Sequence, residues 1–197
     1  MELSALVPMA MYIFVMSITP GPNNMMLATS GLSFGISRSV PHILGITAGV
    51  ALQLVFAGLG LGAVFAAEPA IQLSLKVIGT AYLLWMSWRL WRAGAPDPAP
   101  AARSISFGEA AVFQFINPKA WLIAVTMCSA FLIPKSPLIW QVAVFSLAFL
   151  VVGGPSMFVW ACLGAGLRRI AADAWRVRRI NRILAGLSAM TGVLFWI

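Results

Sequence analysis

Lys119 stands inside an almost unbroken apolar run from Phe107 to Pro134, directly after Asn117 and Pro118. A charge within an apolar, membrane-length segment costs roughly 2.5–3.5 kcal/mol on insertion scales, so such a group marks a functional site by default. Pro118 removes a backbone donor and loosens the helix at the same point. Gln114 and Asn117 add amide donors and acceptors beside the charge. A second constellation, Thr19-Pro20-Gly21-Pro22-Asn23-Asn24, lies within the first apolar stretch. Two prolines and a glycine cannot continue a regular helix. Nonhelical backbone at membrane depth is tolerated only where it is buried in protein or lines an aqueous cavity. Together the two motifs offer a charge, freed backbone groups and amides, which is the chemistry of holding a small polar solute.

Each feature also has a purely structural reading. The first motif could be a kink with a helix cap near the cytoplasmic surface. A lysine can snorkel to an interface. Lys76 and Lys135 fit that reading, being near the ends of apolar segments, whereas Lys119 sits well inside its own. Gly153-Gly154-Pro155 marks either a third discontinuity or a packing bend. Gly45 and Gly49 form a GxxxG pair that lets helices approach closely. Packing within one chain is the simpler use of that pair, and a homodimer contact is the alternative. His42 is the only histidine, so a metal site built on it would lack nitrogen partners. It either titrates near neutral pH or is a structural histidine. No catalytic triad, phosphate-binding loop or paired-carboxylate constellation is present, so neither an enzyme nor a cofactor or metal site is expected.

These residues must be positioned by membrane helices. Of 197 residues, 61% are hydrophobic and 9% charged, and the mean hydropathy is +0.94. Soluble domains carry about 25% charged residues. Long continuous apolar runs indicate helices rather than the alternating strands of a barrel. Six spans are expected, at about 4–30, 40–66, 70–91, 108–133, 138–163 and 180–197. The first begins directly after Met1-Glu2, with no preceding Lys or Arg, and reads as a retained span.

The fold class is therefore an all-α integral membrane protein forming one transporter domain over 1–197. A Pro- and Ala-rich linker, residues 93–107, divides it into halves of about 1–92 and 108–197. Three spans per half place similar halves in inverted orientation, a common transporter architecture. Arg38, Arg89, Arg92, Arg103, Arg168, Arg169, Arg176, Arg178, Arg179 and Arg182 flank one side, and only Lys76 and Lys135 the other. The positive-inside rule then puts the linker in the cytoplasm and both termini outside. The net charge of +8 is thus an orientation signal, with the stretch from Arg168 to Arg182 also suited to anionic lipid heads, and not a nucleic-acid footprint. Cys128 and Cys162 fall near opposite ends of their spans, too far apart for a disulfide.

The motifs resemble those of the LysE/RhtB family of bacterial amino-acid exporters. The matching pieces are Thr19-Pro20-Gly21-Pro22-Asn23, Gly45 to Gly49, Ala81-Tyr82-Leu83-Leu84 with Trp88, and above all Phe115-Ile116-Asn117-Pro118-Lys119-Ala120. Gly186 to Gly192 matches more weakly. The chain departs from the family after Ala120, where it reads Trp121-Leu122-Ile123 instead of a phenylalanine-rich stretch, and at Ser39, where many members have glycine. It also stops abruptly at Phe195-Trp196-Ile197.

The resemblance implies export of a small amino acid across the bacterial inner membrane, driven by the proton gradient. Lys119 and half-helix N-termini would hold the substrate carboxylate. Carbonyls freed by Pro20, Pro22 and Pro118, with Asn23 and Asn117, would hold its ammonium. The five acids, Glu2, Glu68, Asp97, Glu109 and Asp173, fall at or beyond span ends, so a neutral substrate is expected. Lys119, Glu109 and His42 are the candidates for proton coupling. Efflux of a toxic cation or drug, or a scaffold without a transport cycle, are the alternatives.

Overall fold

Every regular element described in the computed structural model is helical. It describes residues 3–61, 67–92, 103–133, 136–170 and 174–194. Most of the expected linker (93–102), three of the acids (Glu2, Asp97, Asp173), Lys135 and the last three residues lie outside these.

The first apolar stretch forms α1 (Leu3–Ile18) and α2 (Pro22–Phe34), which meet at 56°. Gly35 follows at φ 84°, a left-handed conformation that suits glycine, and α3 (Ile36–Phe56) starts at once. A wide turn, Ala57–Leu61, follows α3 and is kinked at Gly60, whose φ of 102° is not helical and suits glycine. Helix α4 spans Pro69–Arg92.

Ser106 opens α5 (Phe107–Phe113) with a capping box: its Oγ accepts from Glu109 N, and the Glu109 carboxylate accepts from Ser106 N. A 3₁₀ turn, Gln114–Ile116, then leads to α6 (Pro118–Phe131), and the axes on either side of Asn117 differ by 75°. Helices α7 (Leu138–Ala148) and α8 (Gly154–Ile170) are joined by a π-helical turn, Phe149–Gly153. Gly153-Gly154-Pro155 is therefore not a break, because the chain stays helical through it. Helix α9 is Ala174–Leu194.

Two segments, Ile36–Gly60 and Leu138–Leu167, are long and apolar enough to cross a membrane singly. The bent pairs α1–α2 and α5–α6 qualify when each is taken as one span. Helices α4 and α9, at 24 and 21 residues, have the length but not the combined apolarity and low charge. They pack on each other. The result is an all-α membrane protein.

Small residues set the packing around the breaks. Gly31 on α2 lies against the Ala161 carbonyl of α8, and Gly164 on α8 against the Ala28 carbonyl of α2, so a Cβ at either would overlap backbone. Gly45 and Gly49 likewise seat the backbone of α5 at Phe107 and Ala111. The GxxxG pair thus packs within the chain. The buried core runs between these helices through Met9, Ile13, Leu27, Ile46, Met127 and Phe145. Large apolar side chains such as Val7, Met11, Val112, Ile139 and Trp140 are exposed, as on a surface that faces acyl chains rather than water.

Candidate functional site

At the first break the prolines withdraw two donors, and carbonyls at the end of α1 lose their helical partners. Side chains replace them. Trp160 Nε1 of α8 donates to Ile18 O at 3.0 Å. Asn24 Nδ2 donates to both Ser17 O and Thr19 O at 2.7 Å. Thr19 O and Pro20 O accept from Lys119 Nζ, each at 3.1 Å, and Thr19 Oγ1 accepts from the same nitrogen at 2.9 Å. Thr19 Oγ1 in turn donates to Val15 O at 2.8 Å. Gly21 is extended (φ −177°), and a Cβ there would lie 3.0 Å from Lys119 Cδ and 3.1 Å from Nζ. The glycine makes room for the lysine.

The second break is satisfied in the same manner. Asn117 caps α6, its Oδ1 accepting from Lys119 N at 3.1 Å, and Pro118 takes the first helical position, where no donor is missed. Gln114 O accepts from Asn117 N at 3.1 Å and from Gln53 Nε2 of α3 at 2.8 Å. Trp121 Nε1 donates to Phe115 O at 3.0 Å.

A reciprocal amide pair ties the breaks together. Asn23 Nδ2 donates to Gln114 Oε1 at 2.8 Å, and Gln114 Nε2 returns a bond to Asn23 Oδ1 at 3.1 Å. Gln114 is fully buried; it also donates to Ala110 O and accepts from Asn117 Nδ2. Hydrogen bonds of this kind in a low-dielectric interior are stronger than in water and stiffen the junction, although Gln53 Oε1 has no partner among the described residues.

Between the breaks lies a cavity of about 20 Å³, lined by Gly21, Pro22, Asn23, Asn24, Asn117 and Lys119 together with Met16, Ser17, Phe149 and Met157. That is space for roughly one water. The N-terminal residues of α2 and α6 line it, and the helix dipoles at those ends favour negative charge, although most of the wall is apolar. Among the described residues no acid lines it.

The structure thus brings together Thr19, Pro20, Gly21, Pro22, Asn23, Asn24, Gln114, Asn117, Pro118 and Lys119. It does not bring Glu109 or His42 to the cavity. Glu109 is exposed, engaged in the capping box and in a bidentate pair with Arg103 at 2.6 and 2.7 Å. His42 is fully buried on α3, and among the described residues neither ring nitrogen has a hydrogen-bond partner.

Three contributors were not expected from the sequence. Ser17 is 6% exposed, lines the cavity, and its Oγ has no partner among the described residues. Gln53 holds the second break, and its lone amide in an apolar run was a visible signal. Trp160 gave no signal, because a tryptophan in an apolar segment looks like packing.

A helical membrane protein whose buried polar network joins two broken helices around a lysine is built as a transporter, not as an enzyme. The chain matches the family described as LysE type translocator over residues 14–197, and it belongs to that family. It is 28% identical to a cysteine/O-acetylserine efflux protein of Klebsiella pneumoniae over 178 residues, 89% of each chain. The similarity to proteins of the same description is 30% over 179 residues in Salmonella typhimurium and 28% over 175 in Escherichia coli, 88% of each chain in both cases. No solved structure matches it.

Proposed function

We propose that this protein exports a small neutral amino acid, or a close derivative such as an O-acylated one, across the bacterial inner membrane, driven by the proton gradient. The observation that carries the reading is Lys119 Nζ lodged in the break between α1 and α2, beside a cavity onto which two helix N-termini open. The substrate carboxylate binds Lys119 and those N-termini. The lack of an acid among the described lining residues favours a neutral side chain, since a second cation would be buried unpaired. Cysteine and O-acetylserine, which the relatives' descriptions name, are zwitterions of this class.

Six spans in two inverted halves complete the reading, with both termini outside. Support comes from correspondence between the halves: the first segment of each carries a break, and the second an irregular turn, kinked at Gly60 in Ala57–Leu61 and π-helical at Phe149–Gly153. Helices α4 and α9, long enough to span, close each half and pack as a pair. A cavity that holds roughly one water must enlarge to admit an amino acid, as rocking of the halves would do.

The test is uptake of labelled cysteine, O-acetylserine, threonine, leucine and lysine into inside-out vesicles under an imposed pH gradient, in wild type and Lys119→Ala. Gradient-driven accumulation of neutral substrates, lost in the variant, supports the reading. Accumulation of lysine alone would overturn the neutral assignment. No accumulation of any amino acid by correctly inserted protein would favour another solute or a scaffold.

A further inference from the structure

Lys119 Nζ carries three protons, and the structure gives it three acceptors: Thr19 Oγ1 at 2.9 Å, and Thr19 O and Pro20 O at 3.1 Å each. The substrate's own α-ammonium carries the same three donors on the same tetrahedral centre. We propose that this trio is the subsite for the substrate's ammonium, and that Lys119 occupies it as an internal stand-in whenever no substrate is bound. The inference rests on the export reading and assigns the two poles of its substrate.

The cage does not depend on the lysine for its shape. Thr19 Oγ1 is oriented by its bond to Val15 O, and Thr19 O by Asn24 Nδ2. Pro20 and Pro22 fix the backbone on either side of the extended Gly21. The amide oxygens of Asn23 and Asn117 are committed elsewhere, to Gln114 Nε2 and to the α6 cap. Pro20 is exposed, so the cage is open on that side.

Loading is then an exchange. The incoming ammonium takes the three acceptors, and the displaced Lys119 pairs with the incoming carboxylate. Net charge in the site stays at one positive unit before and after. An amine without a carboxylate would strand the Lys119 ammonium unpaired, which is costly away from water. A carboxylic acid without an amine would leave the three acceptors empty once Lys119 turned toward it. The device selects zwitterions and keeps the acceptors satisfied between cycles. A tethered competitor acts at an effective concentration of millimolar or above, so a free amine is excluded from the intact site.

The test is binding of ethylammonium to purified protein in detergent, read by calorimetry, with tetramethylammonium as a control of equal charge and no N–H donor. Wild type is expected to bind neither. Lys119→Leu, whose side chain is too short to fill the cage, is expected to bind ethylammonium at least about tenfold more tightly than wild type and not to bind tetramethylammonium. Adding Thr19→Val to that variant removes one of the three acceptors and should cut the gain severalfold. Lys119→Ala serves as the second variant if Lys119→Leu fails to fold. Folded variants that gain no affinity, equal binding by wild type, equal binding of tetramethylammonium, or a gain undiminished by Thr19→Val would each overturn the proposal. The assay needs no export, so a cage that binds amines in a protein that moves no amino acid would refute only the export reading, and the converse only the cage.

Discussion

Asn23 and Gln114 exchange two amide hydrogen bonds across 91 positions of sequence, and by doing so they fasten one helix break to the other. Lys119 Nζ bonds instead to Thr19 and Pro20. The amide pair sets the distance between Pro20 on one break and Asn117 on the other, and so decides whether Lys119 can span it.

Gln114→Glu keeps the shape and reverses the donor. The new oxygen would face Asn23 Oδ1 and Ala110 O, both now acceptors opposite an acceptor. Orphaning a buried polar group costs about 1–3 kcal/mol, more when a charge is involved. We expect a lower melting temperature in detergent and loss of export by protein that still inserts. Wild-type export rates in Gln114→Glu would show that the breaks need no fixed spacing.

Close packing of α2 on α8 makes a different prediction, one about stability alone. Gly164→Ala would drive a methyl into the Ala28 backbone, and Gly31→Ala one into Ala161. Overpacking of this kind costs about 1–3 kcal/mol. At Gly166 and Gly186 an added methyl group would meet nothing within 4 Å, so alanine there should be neutral or slightly favourable. Thermal unfolding of the four variants should separate into two pairs; a uniform response would contradict the packing.

Gly21→Ala is a milder test of the site. The backbone there is extended and accepts a side chain, but the methyl would press on the Lys119 stem at 3.0 Å. The lysine must shift by a few tenths of an ångström, and its three hydrogen bonds lengthen together. Export should fall by about tenfold, the equivalent of about 1.4 kcal/mol, with stability little changed. Unchanged export at subsaturating substrate would mean that the lysine's position is not critical.

Much of this site is legible in the sequence. Pro20, Gly21, Pro22 and Pro118 announce breaks because they lack donors or side chains, and Lys119 announces itself by its charge. The partners of Lys119 are not legible there. Three acceptors 99 and 100 positions away come within reach only once two bent spans pack, and nothing local encodes that approach. For the same reason Asn23 and Asn117, expected to offer free amides, are found committed to Gln114. Gly153-Gly154-Pro155, which the sequence leaves as either a discontinuity or a bend, stays helical: the irregularity is the π-turn ending at Gly153, and such a bulge is one way a helix takes up a proline's missing donor and its clash with the preceding turn.

Ser17 offers a test of substrate choice. Its hydroxyl is buried, unpartnered among the described residues and on the cavity wall. Burying such a group costs about 1–3 kcal/mol by mutational measures. Ser17→Ala should therefore leave stability equal or raised. If the hydroxyl meets the substrate's side chain, export of cysteine should fall relative to export of alanine in the same vesicles. A parallel fall for both would assign Ser17 to the common part of the substrate.

His42 is fully buried, with both ring nitrogens lacking partners among the described residues. Glu109, the other side chain considered for proton coupling outside the cavity, is engaged by Arg103 and the α5 cap. A buried imidazole that bonds to nothing is a net cost to folding, so His42→Leu should raise the melting temperature. If the imidazole instead carries the coupled proton, the variant should lose accumulation driven by the pH gradient. Exchange of labelled for unlabelled substrate, which moves no net proton, should survive. The two assays in one vesicle preparation separate the roles. Loss of both would point to a structural defect, and retention of gradient-driven accumulation would remove His42 from the cycle and leave Lys119 as the carrier to test.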